Sequence, residues 1–271
     1  NIIRFFLFLF NPEFAHHLAM KSLKVANFFG LLNLISNRNQ CKPRTIMGLQ
    51  FDSPVGLAAG LDKNAEYIDC LSKLGFGFIE VGTVTPRAQK GNPKPRSFRL
   101  TREMGIINRF GFNNDGIDKV IQNVKKSKFR GILGINIGKN FDTPINKAID
   151  DYLICFRKSY LFASYITLNI SSPNTKDLRK LQGSDNLEKL LRRIKTEQNI
   201  LNKKYKKYVP FLIKISPDNT NFQLSAICKL LIKHKIDGVI ATNTTLSRNG
   251  VSTSNKRNES GGLSGLPLKS S

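Results

Sequence analysis

From residue 45 onward, short apolar runs ending in Gly, Asn, Ser or Thr alternate with stretches of helical periodicity, the pattern of repeated βα units. The runs cover residues 55–60, 77–84, 131–138, 165–171, 211–216 and 238–244. Helical spacing of apolar positions marks 65–74, 117–126, 186–201 and 222–234, and 45–53 predicts a small hairpin ahead of the first unit. Near-continuous apolar strands belong in a parallel sheet covered on both faces, either doubly wound or closed into a barrel. A barrel needs eight units and the pattern supplies six, with the Gly-rich stretch 261–265 read as the loop where a seventh would begin. Six units alone would leave two apolar sheet edges in water, so the chain reads as a truncated copy of something longer.

The first forty residues follow a different pattern. The apolar run at 5–10 is too short to cross a bilayer, which takes about 20 helical residues, and no small-residue cleavage pattern follows it. Asn11 is placed to cap a helix, Pro12 suits its first position, and Glu13 favours the positive end of its dipole. Phe14, Leu18, Val25 and Phe29 then share one face. With Arg4, Lys21 and Lys24 nearby, this segment suits either an interfacial membrane helix or a helical hairpin packed on the domain that follows, and the residues leave both open. A polar break at 36–44 containing Pro43 divides an N-terminal segment, 1–40, from a βα domain, 41–271.

Composition excludes collagen-like, coiled-coil and wholly disordered classes: of 271 residues 40% are hydrophobic, with 20 Gly and 11 Pro. Cys41, Cys70, Cys155 and Cys228 form no CxxC pair, which points to a reduced intracellular compartment and no metal knuckle. Lys and Arg number 43 against 19 acids, a formal charge of +24. Such an excess suits a polyanion or an anionic membrane, but it is spread along the chain. Its densest stretch, 176–207, reads as a solvated helix face, and no nucleic-acid partner is expected.

The chemistry lies in the polar residues that interrupt the apolar strands, each at the carboxyl end, where parallel α/β proteins place ligands. Asn136, Asn169, Lys214 and the pair Thr242 and Asn243 come from separate strands. A buried ammonium at 214 requires a polar or anionic partner. One such residue is ordinarily a satisfied core group, but a ring of amide, hydroxyl and ammonium groups suits a flat heterocycle rich in acceptors. An ammonium there would stabilise the charge a flavin gains on reduction. Gly56 to Asn64 ends the first run with small residues and Lys63, and in the segment after the fourth run Pro173 biases Ser172 toward an extended conformation.

Six motifs stand in fixed order: Gly-Leu-Ala-Ala-Gly-Leu-Asp-Lys-Asn (56–64), Gly-Thr-Val-Thr-Pro-Arg (82–87), Asn-Arg-Phe-Gly-Phe-Asn-Asn (108–114), Asn-Ile-Ser-Ser-Pro-Asn-Thr (169–175), Ile-Ala-Thr-Asn-Thr-Thr (240–245) and Gly-Gly-Leu-Ser-Gly (261–265). In these the chain resembles the bacterial, quinone-dependent, membrane-associated dihydroorotate dehydrogenases over essentially its whole length. The resemblance implies a (β/α)8 TIM barrel holding FMN at its mouth and oxidising dihydroorotate to orotate in pyrimidine biosynthesis. It assigns FMN contacts to Ala59, Gly60, Leu61, Asp62, Lys63, Thr83, Asn136, Asn169, Lys214, Thr242 and Gly265. Substrate contacts fall to Lys63, Asn108, Arg109, Phe110, Gly111, Phe112, Asn169, Asn174, Asn243 and Thr244, and the catalytic base to Ser172. The N-terminal helices become the access route for a membrane quinone, with His16 and Arg99 near its head group. The same resemblance implies a peripheral protein on the cytoplasmic side of the inner membrane, against an anionic lipid surface, and makes the family's last two units absent after Ser271.

Two other flavin barrels fit the pattern less well. The soluble class of the same enzyme, using fumarate or NAD, has a Cys where Ser172 stands. Barrels that reduce tRNA uridines would suit the charge, but they need a catalytic Cys in a strand-end loop, and none of the four occupies one. A fragment that folds poorly and binds nothing is the non-enzymatic alternative.

Overall fold

The computed structural model describes residues 2–34, 42–251 and 255–269. In chain order its elements are α1 (Ile2–Phe8), α2 (Pro12–Phe28), β1 (Arg44–Ile46), β2 (Leu49–Phe51), α3 (Ile68–Leu71), β3 (Phe78–Val84), β4 (Ser97–Leu100) and β5 (Gly105–Asn108). They continue with α4 (Ile117–Lys126), β6 (Ile132–Ile137), α5 (Ala148–Ser159), β7 (Tyr165–Asn169), α6 (Ser184–Tyr205), β8 (Phe211–Lys214), α7 (Asn221–Lys233), β9 (Gly238–Ile240) and β10 (Gly262–Gly265). Much of the expected break at 36–44 lies outside the described residues, as does Cys41. Cys70, Cys155 and Cys228 are free thiols.

A parallel sheet in the order β3-β6-β7-β8-β9 forms the heart of the molecule. Its side chains are mostly excluded from water, as the unbroken apolar runs require: β7 is buried at every position, while at the β9 edge Val239 is 47% exposed. Ile79, Ile135, Ile166 and Ile213 pack with Tyr152 and Phe156 of α5 and with Leu187, Leu190 and Ile194 of α6. The expected first strand, 55–60, is reduced. Only Leu57 bridges in parallel to Ile79; its neighbours Gly56, Ala58 and Ala59 offer at most a methyl group to pack, and a Cβ on Gly56 would lie 2.2 Å from the Phe78 ring. With Leu57 counted, six consecutive parallel segments follow one another, as the pattern predicts.

Helix α4 coincides with the expected 117–126, and α7 begins at a capping box between Thr220 and Gln223. The hairpin of β1 and β2 is in place. On the densely basic stretch, Arg192, Arg193, Lys203, Lys204 and Lys206 are exposed, while Leu187, Leu191 and Ile194 of the same stretch are buried.

The stretch 261–265 is not a loop opening a further βα unit. Gly262–Gly265 is strand β10, paired antiparallel with β5, which pairs in turn with β4. This three-stranded sheet has its own small core of Phe98, Leu100, Ile107, Val251 and Leu263.

Asn11 caps α2 through its side-chain oxygen, which accepts the Glu13 N–H at 3.0 Å. The buried positions of α2 are Glu13, Ala15 and Met20. The apolar face picked out by periodicity points the other way: Phe14 is 53%, Val25 56% and Phe29 69% exposed. A helix with apolar residues on both sides has one stripe for the barrel and one left over. Among the described residues no helix is long and apolar enough to cross a membrane.

Candidate active site

At the carboxyl ends of the parallel strands lies a cavity of about 620 Å³. Residues 58–64, Thr83, Asn169, Ser172, Lys214 and Thr242–Thr244 form its barrel side, while Pro12, His16, Arg99, Ile106 and Leu268 close the side toward α2 and the antiparallel sheet. The volume falls in the usual range for a small-molecule site, about 300–1,000 Å³.

The barrel side is a continuous hydrogen-bond network. Asn169 donates to Thr83 Oγ1 at 2.9 Å, Thr83 to Asn136 Oδ1 at 2.6 Å, and Asn136 to Glu80 Oε1 at 2.8 Å. Thr167 donates to the other oxygen of Glu80 at 3.0 Å. Asn243 donates to Asn169 Oδ1 at 3.1 Å and to Ser171 Oγ at 3.0 Å. Side chains from β3, β6, β7 and the loop after β9 thus fix one another's rotamers, so the groups facing the cavity are preorganised.

Lys214 projects from the end of β8. Burial depresses its ammonium pKa, and the Glu80 carboxylate opposes that shift. Glu80, only 4% exposed, is the acid whose charge favours the ammonium there. That acid sits mid-strand on β3, far away in the chain, and its place inside an apolar run is all that marks it in the sequence.

Lys63 lies on the opposite lip, its Nζ donating to Gly60 O at 2.7 Å and standing 4.4 Å from the Phe110 ring centre. Burial, with Arg96 adding to it and Glu13 and Asp62 opposing, lowers its pKa to about 8. The neighbouring Asp62 carboxylate is spent on the backbone, accepting from the N–H groups of Glu66 (2.9 Å) and Tyr67 (2.8 Å). Burial raises its pKa despite those bonds.

Ser172 is 5% exposed and its Oγ accepts the Asn174 N–H at 3.3 Å. Asn174 donates from its side chain to the Asn108 carbonyl at 3.0 Å. The loop after β7 and the end of β5 are thereby joined at the cavity. Gly262 of β10 makes room for this loop, since a Cβ there would stand 1.9 Å from Thr244 Oγ1 and 3.1 Å from Pro173 Cγ.

On the far side, Arg99 donates to the carbonyls of Phe10 (2.7 Å) and Leu7 (3.3 Å) and stacks 4.6 Å from the Phe8 ring centre. It pins the corner between α1 and α2 to β4. His16 also lines the cavity. Burial, reinforced by the positive charges of Lys63 and His17, lowers the His16 pKa to about 4, so its imidazole is neutral at physiological pH.

Most of the expected site residues border this one cavity, and three do not. Asn136 lies one layer beneath, holding Thr83. Gly265 sits at the end of β10 against Met104 and Gly105. The Arg109 guanidinium points away to Glu259, at 2.7 Å, and covers the Phe98 ring. Sequence reasoning missed Glu80, Thr167, Ser171, Asn92 and Arg96, whose roles depend on contacts across strands and loops. The acidic Glu80 inside an apolar strand was the one signal that could have been found.

Residues 43–271 match the family model described as dihydroorotate dehydrogenase. A dihydroorotate dehydrogenase (quinone) of Nitrosospira multiformis is 56% identical over 99% of this chain and 76% of its own length. One of Acinetobacter baumannii is 57% identical over 99% and 79%. Among solved structures, the dihydroorotate dehydrogenase of Eimeria tenella in complex with ferulenol superposes with a TM-score of 0.82 at 37% identity, covering 95% of this chain and 73% of that one. Its ligand-free form gives 0.83 at 38% identity, covering 93% and 76%. The polar ring at the strand ends, the antiparallel sheet over it and these likenesses agree: the chain belongs to the dihydroorotate dehydrogenase family.

Proposed function

We propose that this protein oxidises dihydroorotate to orotate, using FMN in the cavity and a membrane quinone as electron acceptor, in pyrimidine biosynthesis. The observation that carries this reading is the convergence of Thr83, Asn169, Lys214, Thr242, Asn243 and Ser172 on one cavity whose other wall is α2. The cavity has room for a flat ring, since no atom lies within 4 Å of where a Cβ on Gly60 would stand, and the buried Oδ1 of Asn113, on the wall, has no hydrogen-bond partner and would accept an N–H of such a ring. Ala59, Gly60, Thr83, Asn169, Lys214 and Thr242 would hold the cofactor, with Asn136 and Gly265 supporting them from outside the cavity wall.

When bound, FMN supplies a two-electron acceptor for the hydrogen that leaves C6 of dihydroorotate, and releases the electrons to quinone. The chain's own residues do the rest. Ser172 Oγ takes the proton from C5, and because a hydroxyl is a weak base its own proton must pass onward to water or a Thr hydroxyl. Asn108, Asn174 and Asn243 present amides to the edge of the pyrimidine. The Lys63 ammonium pairs with the substrate carboxylate, and Lys214 supplies positive charge where negative charge accumulates. Phe110, Gly111 and Phe112 form the loop that closes on the ring, and the Arg109 backbone belongs to it.

Residues 1–40 serve as the quinone entry. The outward faces of Phe5, Phe6, Phe28 and Phe29 are bare and suit acyl chains, while Arg4, Lys21 and Lys24 favour anionic head groups. These faces support a peripheral seat on a membrane, which we place on the cytoplasmic side of the inner membrane, with His16 and Arg99 near the quinone head. The test is orotate production by the purified protein with dihydroorotate and, in turn, a short-chain quinone, fumarate and NAD. Quinone should be the fastest acceptor; a faster reaction with fumarate or NAD would refute the class.

A further inference from the structure

The geometry points to Glu13 and Arg96 as positioning residues: an ion pair that seats α2 on the 89–96 loop and, through Asn92, holds the substrate-side segments around Phe110 and Asn174 in place. The inference deepens the proposed function and rests on it for the identity of the substrate.

Glu13 opens α2 and is 8% exposed, and Arg96, just before β4, is 7% exposed. Each nitrogen of the guanidinium donates at least one hydrogen bond. Its Nη2 donates to Glu13 Oε1 at 2.7 Å and its Nε reaches both carboxylate oxygens at 3.2 and 3.3 Å. Its Nη1 donates to the carbonyls of Lys90 at 2.7 Å and Asn92 at 3.0 Å. A forked, planar cation is therefore shared between the acceptor-side helix and the backbone of the loop, a geometry that an ammonium cannot reproduce.

Asn92 carries the connection onward. Its side-chain amide donates to the Arg109 carbonyl at 2.8 Å and reaches the Asn174 carbonyl at 3.4 Å, and its N–H donates to Phe110 O at 3.0 Å. The Arg109 N–H donates back to the Arg96 carbonyl at 2.9 Å. The two loops touch so closely that neither facing glycine has room for a side chain: a Cβ on Gly91 would stand 2.2 Å from Phe110 O, and one on Gly111 2.9 Å from Asn92 Cγ. Asn174 in turn meets Asn108 and its N–H donates to Ser172 Oγ. A short chain of direct contacts thus runs from α2 to the residues proposed to grip the substrate. Neither Glu13 nor Arg96 is assigned to touch the reacting atoms. Their part is to fix the loop that does, so substrate affinity depends on how α2 is seated.

Titration calorimetry with orotate reads the order of the substrate side without turnover. Glu13→Gln keeps the shape of the side chain and removes its charge, whereas Asn92→Ala leaves the ion pair whole and cuts the link beyond it. Each should weaken orotate about tenfold, and the double variant should be little worse than either single one, because both break the same chain. In Asn92→Ala the KM for a quinone analogue should stay within about twofold of wild type, a split that general loosening of the fold would not give. Should Glu13→Gln fail to fold, Arg96→Lys replaces it in the cycle. Unchanged orotate affinity in Asn92→Ala, or fully additive losses in the double variant, would overturn the inference. Orotate failing to bind even the wild-type protein would instead remove the substrate reading, and the inference with it.

Discussion

Replacing Glu80 by Gln probes the anion beneath the cavity. The carboxylate accepts Asn136 Nδ2 at 2.8 Å and Thr167 Oγ1 at 3.0 Å on separate oxygens and offsets the desolvation of Lys214. Gln retains one acceptor oxygen and turns an NH2 donor toward another donor, so one bond to a charged acceptor is lost, worth about 1.5–3 kcal/mol. Lys214 also loses the negative charge that offsets its desolvation. The two effects share one carboxylate and do not add, so a loss of about 3 kcal/mol is expected. At about 2–4 °C per kcal/mol for a domain of this size, Tm should fall by about 6–12 °C. Raising the pH should shrink the deficit, because a neutral Lys214 amine no longer needs an anion. Thermal unfolding followed by circular dichroism between pH 6 and pH 9 measures both effects. A Tm within about 2 °C of wild type at neutral pH, or a deficit that grows as the pH rises, would refute this account of Glu80.

Three further outcomes follow from the same geometry. Lys214→Ala should weaken or abolish FMN binding, read from the visible spectrum of the purified variant, and a fully flavinated variant would contradict it. Since Lys63 loses its charge as the pH rises through about 8, kcat/KM for dihydroorotate should fall about tenfold per pH unit above that value, and Lys63→Met should abolish the slope. Stability runs the opposite way: between pH 8 and the ordinary lysine value of 10.5 the unfolded chain holds more protons, so this group makes the fold more stable as pH rises. Gly262→Ala should disrupt the Ser172 loop, because the added methyl would stand 1.9 Å from Thr244 Oγ1; undiminished dihydroorotate oxidation would show that the loop can yield.

Much of the architecture was legible because it is local. The ends of α4 are set by its own apolar spacing, and the cap on α2 by Asn11 and Pro12. What escaped was set by contacts at a distance. Helix α5 grows out of a tight turn with no capping side chain at Lys147, so its start is marked by nothing stronger than Asp150 and Asp151 in its first turn, although Tyr152, Cys155 and Phe156 line its buried face. Strand β10 is written in glycines, which read as a loop, and becomes a strand only because β5 lies alongside. Periodicity found the apolar face of Phe14, Leu18 and Val25 but could not tell that the barrel takes the other side of α2. The candidate site was legible wherever a polar residue interrupts an apolar strand, as at Asn169 and Lys214. It was illegible where a residue works through another across a loop, as Arg96 does through Asn92.

The central claim is that one ring of side chains holds a flavin beside a serine that removes the substrate proton. Anaerobic stopped-flow mixing of dihydroorotate with Ser172→Ala, reading flavin absorbance, tests it most directly. The account predicts that flavin stays bound while its reduction slows by orders of magnitude relative to wild type. Reduction at the wild-type rate would contradict it and take the proton transfer away from Ser172.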